Sequence, residues 1–111
     1  MELMPDLDLH HPTTVEDAIN AHASSVTSRY LAGGSDMLVN IRRGIEQPDS
    51  LVYLNGIPEM HGILDNGDGI TIGGTTVLRE MAESEVLRQC FTAVAIAASE
   101  VAGHSHREYG T

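Results

Sequence analysis

The sequence predicts an α+β fold, and three observations carry that reading. In the first half, apolar residues at helical spacing alternate with short runs of strand composition. In the middle, Asp65-Asn66-Gly67-Asp68-Gly69 separates Ile63-Leu64 from Ile70-Thr71-Ile72, which is the chemistry of a hairpin turn. Beyond it the apolar period is helical again, with no further strand. The predicted order is β-α-β-α-β-turn-β-β-α-α, a mixture of classes and not a clean βαβαβ alternation.

The elements follow in order. Leu7 to His11 is a short extended piece stopped by Pro12. Thr14 with Asp17, or Thr13 with Glu16, begins a helix, and Val15, Ala18, Ile19 and His22 share one face of it. His22 belongs at the edge of that buried face. Residues 26–31 have strand composition. After Ala32-Gly33-Gly34-Ser35-Asp36, the residues Met37, Leu38, Ile41 and Ile45 resume helical spacing, with Gly44 as the stop. Ser50 to Leu54 is a second buried strand, and Pro58-Glu59-Met60 suits one helical turn. Thr76 is placed to cap a helix running to about Ala82, and Ser84 to begin another. Phe91, Val94, Ala95, Ala98 and Val101 form an apolar stripe that Gly103 ends, and His104 to Thr111 is expected to hold no finished element.

Composition narrows the function classes. The chain has 111 residues, enough for one domain or part of one, and its 41% hydrophobic and 20% charged content excludes wholesale disorder. Six Lys+Arg, all of them Arg, stand against 16 Asp+Glu, a net charge of -10. Nucleic acid and anionic lipid both require a cationic surface, so neither is an expected partner. No apolar run approaches the ~18 residues of a membrane span. Met1 to Asp6 has no basic flank and no apolar signal core, so a cytoplasmic location is expected. The single cysteine, Cys90, cannot form an internal disulfide or an all-cysteine metal site, and is expected to be a small buried apolar residue.

The strongest chemical signal is Tyr30-Leu31-Ala32-Gly33-Gly34-Ser35-Asp36-Met37, where a strand runs into two glycines and then a helix start. Free N–H groups of such a turn form an anion site, and glycine allows close backbone approach. Ser35 adds a hydroxyl and can cap the helix. Asp36 would repel a phosphate, so its carboxylate is expected on backbone N–H groups or a ligand hydroxyl. The same residues also suit a plain strand–helix turn with a capping serine. There is no Walker lysine and no spaced three-glycine fingerprint. Asp65 to Gly69 is not a calcium loop, because the position that needs a glutamate is Thr76. His104-x-His106 could offer two imidazoles to a metal only if extended and joined by a distant ligand; plain polar residues are expected. No nucleophile–base pair or catalytic carboxylate pair stands out.

Ala32-Gly33-Gly34-Ser35-Asp36-Met37-Leu38 resembles the first flavin-contacting loop of the FAD-binding domain of molybdopterin dehydrogenases. That family includes the carbon monoxide dehydrogenase medium subunit, the 4-hydroxybenzoyl-CoA reductase beta subunit and the xanthine dehydrogenase FAD domain. His10-His11-Pro12-Thr13-Thr14-Val15-Glu16-Asp17-Ala18 resembles the family's opening helix, and Pro48 to Leu54 its following strand. Ile70-Thr71-Ile72-Gly73-Gly74-Thr75-Thr76 resembles its strand and turn, and Val101 to Thr111 the approach to its second glycine loop. The wording of that tail is most like the reductase branch, whose additional cluster uses downstream cysteines not present here.

The resemblance implies the N-terminal part of a vanillyl-alcohol-oxidase/PCMH-type FAD-binding domain. Carried over, Leu31, Ala32, Gly33, Gly34, Ser35, Asp36 and Met37 would wrap the FAD diphosphate. The contact ahead of the second loop falls on Val101, and Thr111 opens that loop. No catalytic or metal-ligating residue is implied. By the same resemblance, FAD would be the cofactor of the full-length protein. The molybdenum cofactor and iron–sulfur clusters would sit on partners, a molybdopterin large subunit and an iron–sulfur small subunit, in an electron relay. The loop's glycines would follow Thr111. The expectation is therefore an N-terminal fragment, with a first α/β subdomain at about 1–55 and the start of a second at about 56–111. Such a fragment would bind FAD weakly or not at all. The alternative is a non-catalytic remnant or interaction module that keeps the fold without flavin.

Overall fold

A computed structural model describes residues 6–101 and 103–111, and the chain falls into two compact units, Met1–Glu59 and Met60–Thr111. The first runs β1 (Asp8–His10), α1 (Val15–Ala23), β2 (Arg29–Leu31), α2 (Met37–Arg42), β3 (Ser50–Tyr53). Its three strands are parallel in the order β1-β3-β2, with Leu9 opposite Leu51 and Leu31 opposite Tyr53. The chain steps out from β1 to β2 and then back to the middle with β3. Right-handed connections in opposite directions put their helices on opposite faces. The packing agrees. On one face His22 of α1 stacks on Tyr30, with ring centroids 4.3 Å apart. On the other, Ile41 of α2 is buried with Leu31 and Leu51, against Leu7, Met37, Leu38 and Tyr53. β3 is central, so both its faces are covered, and Ser50, Leu51 and Val52 are all buried.

Helix α1 begins as the sequence predicts. Thr14 Oγ1 accepts from the Asp17 N–H at 3.1 Å, and Glu59 Oε1 accepts from the Val15 N–H at 3.1 Å. The expected strand at 26–31 shortens to Arg29–Leu31, because hydroxyls turn the chain before it. Ser25 Oγ donates to Asp49 Oδ1 at 2.5 Å, and Thr27 Oγ1 accepts the Asp49 N–H at 3.2 Å. Val26 is left fully exposed on the turn.

A 3-10 turn at Pro58–Met60 leads into the second unit. There β4 (Ile63–Asp65) and β5 (Ile70–Ile72) form the expected antiparallel hairpin, closed by Asp65 Oδ1 accepting the Gly67 N–H at 2.9 Å. Helices α3 (Leu78–Glu83), α4 (Glu85–Cys90), α5 (Thr92–Glu100) and α6 (His104–Tyr109) follow. Ser84 caps α4 through the Leu87 N–H at 3.3 Å, as its position predicts. Thr76 does not cap α3. It is buried, and its hydroxyl accepts the Gly62 N–H at 2.9 Å and donates to the Gly62 carbonyl at 3.2 Å. Thr75 donates to the Met60 carbonyl twice, from its N–H at 2.9 Å and its hydroxyl at 2.8 Å. Two buried hydroxyls thus clamp the 73–76 turn onto the 60–62 backbone.

Three further expectations are corrected. The tail holds a finished element, α6, and Gly103 begins that helix; α5 already stops at Glu100. No breaker lies between Gly103 and Gly110, and Arg79 Nε to Glu108 Oε2 at 3.0 Å and the Leu78 N–H to the Gly110 carbonyl at 2.8 Å hold α6 against α3. Cys90 is exposed, because Leu87 takes α4's inward position and the helix breaks at Phe91. In the expected stripe only Ala95 and Ala98 are buried, while Phe91, Val94 and Val101 are exposed. Among the described residues no helix is long and apolar enough to cross a membrane.

Two predictions follow from this packing. A Cβ on Gly73 would collide with the Met60 carbonyl, whereas one on Gly74 would make ordinary contact with Met60 Cε at 3.5 Å. Gly73→Ala should cost about 2–3 kcal/mol in urea unfolding, and Gly74→Ala less than about 0.5 kcal/mol. Equal effects would contradict the clamp. Hydrogen bonds from Ser25 and then Thr27 hold the Asp49 carboxyl below its ordinary value. A depressed folded-state value favours folding above the unfolded carboxylate range, and that contribution is lost as pH falls through the folded value. Stability should therefore drop on acidification below about pH 4, and Asp49→Asn should flatten that drop in a pH series of unfolding midpoints.

Candidate functional site

In a parallel sheet, ligand-binding loops gather at the carboxyl ends of the strands. The 31–37 segment leaves β2 at that end. Leu31 is still strand: it is buried, and its carbonyl accepts the Leu54 N–H at 2.9 Å. Gly34 then turns the backbone with φ +77°, in the left-handed region. A Cβ there would also meet Leu38 Cδ1 at 3.0 Å and Leu31 Cδ1 at 3.4 Å. The turn therefore lies directly on the apolar cluster, and only glycine fits both its conformation and its space.

From this turn α2 begins. The Leu38 N–H donates to the Gly34 carbonyl at 3.2 Å and the Asn40 N–H to the Asp36 carbonyl at 3.0 Å. The N–H groups of Gly33, Gly34, Ser35, Asp36 and Met37 donate to no acceptor among the described residues. Asp36 and Met37 are donors of the kind a helix start leaves unpaired, and Gly33 to Ser35 lie on the turn before it. Ser35 is exposed and does not cap α2; Asp36 holds that position, without a side-chain cap bond. The Asp36 carboxylate accepts from Asn40 Nδ2 at 3.2 Å, one turn along the helix. The bond ties the carboxylate to the side of α2 and leaves its negative charge in place.

The structure thus brings Leu31, Ala32, Gly33, Gly34, Ser35, Asp36 and Met37 together on one turn of the first unit. Val101 and Thr111 belong to the second unit, where Val101 follows α5 and Thr111 follows α6, both exposed. Sequence reasoning missed Leu38, which fills the space under Gly34, and Asn40, which holds Asp36. The Asp36/Asn40 spacing of four was the available signal. His104 and His106 lie on α6, where residues two apart point to different sides. Among the described residues no group of three His, Cys, Asp or Glu could hold a metal ion.

Comparison with known proteins matches residues 5–111 to a family described as the FAD binding domain in molybdopterin dehydrogenase. The chain is 30% identical over 103 residues to the xanthine dehydrogenase FAD-binding subunit of Escherichia coli O157:H7, covering 92% of this chain and 35% of that one. It is 30% identical over 108 residues to the carbon monoxide dehydrogenase medium chain of Hydrogenophaga pseudoflava, covering 96% of this chain and 38% of that one. A solved carbon monoxide dehydrogenase from the same organism superposes with a TM-score of 0.94 at 29% identity, over 98% of this chain and 38% of that one. The chain thus spans little more than a third of the length of these relatives.

Gly34→Ala should lower stability by about 1–2 kcal/mol from the left-handed backbone, with a further cost from displacing Leu38. Urea unfolding measures it, and an unchanged midpoint would contradict the described turn.

Proposed function

The chain belongs to the family of FAD-binding domains of molybdopterin dehydrogenases, and from that membership we propose that its Leu31–Met37 turn binds the diphosphate of FAD within an oxidoreductase subunit. One observation carries the residue assignment: the unpaired N–H groups from Gly33 to Met37. Neutral donors fixed on a rigid turn suit a diphosphate without a cationic side chain. The positive φ of Gly34 aims the turn, and the Asn40 bond restrains the nearby carboxylate. The residues present fit the group. Val101 and Thr111 are assigned to a second contact region by resemblance to the family.

FAD in such a protein supplies electron transfer, and the polypeptide's part is to hold and orient it. The relatives' names, a medium chain and an FAD-binding subunit, are names of parts of larger enzymes. We assign this chain the same place: a relay between an iron–sulfur small subunit, a molybdopterin large subunit and an external acceptor or donor, in the cytoplasm. With two diphosphate contact regions in the family and one formed turn here, the 111-residue chain alone should bind FAD weakly. Each missing charge-assisted hydrogen bond costs about 1.5–3 kcal/mol.

Equilibrium dialysis of the chain against FAD, ADP and FMN tests the assignment. FAD and ADP, which share the diphosphate, should compete for one weak site, and FMN should not displace them. Gly34→Val should lower FAD binding at least about tenfold. FMN competing as well as ADP, or a variant with unaltered binding, would show that the diphosphate does not sit on this turn. Absence of any binding would favour the interaction-module reading.

A further inference from the structure

The loops at the carboxyl end of the first unit's sheet carry one side chain able to become a cation, and it is not on the 31–37 turn. His10 pairs with Val52 and Leu31 with Tyr53, so His11 falls in one row with Tyr53 and Leu31 across the ends of the three strands. The His11 ring meets Tyr53 edge-on, with centroids 5.7 Å apart and planes at 68°. Tyr53 packs on the cluster of Leu31, Ile41 and Leu51, as Met37 and Leu38 do. Two strand spacings put His11 about 10 Å from Leu31, where the turn starts. Pro12 restricts His11 to extended backbone. Pro12 is itself buried, and its carbonyl lies 3.3 Å from where a Cβ on Gly56 would stand. Strand, proline and Tyr53 together set the place of an otherwise exposed imidazole.

Residues 11–14, 32–36 and 54–57 make up the three loops, and His11 and Asp36 are their ionisable side chains; Lys and Arg are absent from them. A diphosphate at this end meets the Asp36 carboxylate and a chain of net charge -10, both of which oppose an anion. Among the described residues the His11 imidazole forms no hydrogen bond and no ion pair, whereas His61 and His104 lie on Glu80 and Glu108 at 3.2 and 3.4 Å. The titratable groups around His11 are Tyr53 on β3, Asp8 and His10 on its own strand, Glu16 and Asp17 in the first turn of α1, Glu59 after the third loop, and Asp36. Glu59 already accepts from the Val15 N–H and Asp36 from Asn40. His10 projects to the opposite face of the sheet.

We propose that His11, separated from the turn by Tyr53 alone, supplies the positive charge for a dinucleotide bound there, so that protonation of this imidazole sets the turn's affinity for FAD. The inference rests on the diphosphate assignment made above. Attraction across about 10 Å is weak in bulk water and stronger along a protein surface of lower dielectric. It also acts over roughly one Debye length at ordinary salt, so low ionic strength enlarges it. Histidine changes charge between about pH 5 and 8. The attraction is present while the imidazole is protonated and is lost as pH rises through that range, so binding tightens on acidification. The diphosphate of FAD is esterified at both ends and keeps its charge over the same range, so the dependence belongs to the protein.

Fluorescence titration with FAD between about pH 5.5 and 8.5 at low ionic strength tests this. The unaltered chain should bind at least about threefold more tightly at the acidic end. His11→Gln should bind at every pH as weakly as the unaltered chain does at the alkaline end. His11→Arg should keep the tighter binding throughout, and neither variant should change the far-UV circular dichroism. His10→Gln, which alters the neighbouring imidazole on the other face, should leave the profile as it is. A flat profile for the unaltered chain, or a His11→Gln variant that keeps the slope, would overturn the inference. So would a His11→Arg variant that binds no better than His11→Gln, since charge would then not be the property that matters. In each of these cases loss of binding in Gly34→Val would leave the turn assignment standing. No FAD binding at any pH, or binding indifferent to Gly34→Val, would overturn that assignment and this inference with it.

Discussion

The turn at Gly34 is the constraint on which the first unit's shape depends. Its backbone adopts φ +77° immediately above Leu31 and Leu38, so the strand that ends and the helix that starts share one apolar cluster. A side chain at this turn would be strained by the positive φ and would press against the Leu38 and Leu31 side chains beneath it. Burial of Leu31, Ile41 and Leu51 therefore holds the turn in a conformation that an isolated peptide would rarely populate. The same geometry leaves the N–H groups of residues 33–37 without protein acceptors. Folding energy from the sheet keeps in place a row of donors that the fold itself does not use.

The second unit is held by contacts between residues distant in sequence. Gly73, Thr75 and Thr76 fasten the hairpin's exit to the backbone at Met60–Gly62, with both hydroxyls buried and satisfied. Arg79 and Glu108 fasten the last helix to the first helix of the group. Between these fixed points α5 keeps an apolar face toward solvent.

Much of this was legible in the residues. Thr14 with Asp17 marked the start of α1, Ser84 the start of α4, and Asp65 to Gly69 the hairpin, because each rests on contacts between near neighbours in sequence. The two-glycine turn was legible for the same reason. What could not be read rests on distant partners. Thr76 has the spacing of a cap, but its hydroxyl is taken by Gly62, 14 residues away. Residues 26–28 belong to a run of strand composition, but Asp49 holds the chain there as a turn through Ser25 and Thr27. The tail's glycines concealed α6, whose position depends on Arg79 and Leu78. The supporting roles of Leu38 and Asn40 were not legible, since they rest on three-dimensional contacts: one fills the space under Gly34 and the other donates to Asp36.

The central claim is that the turn after β2 offers its own backbone N–H groups to a diphosphate. Titration of isotopically labelled chain with FAD, followed by the amide resonances, tests it most directly. The account predicts that the largest shifts fall on Gly33, Gly34, Ser35, Asp36 and Met37, and that ADP reproduces them. Shifts confined to other residues, or no shift at these five while others respond to FAD, would contradict it.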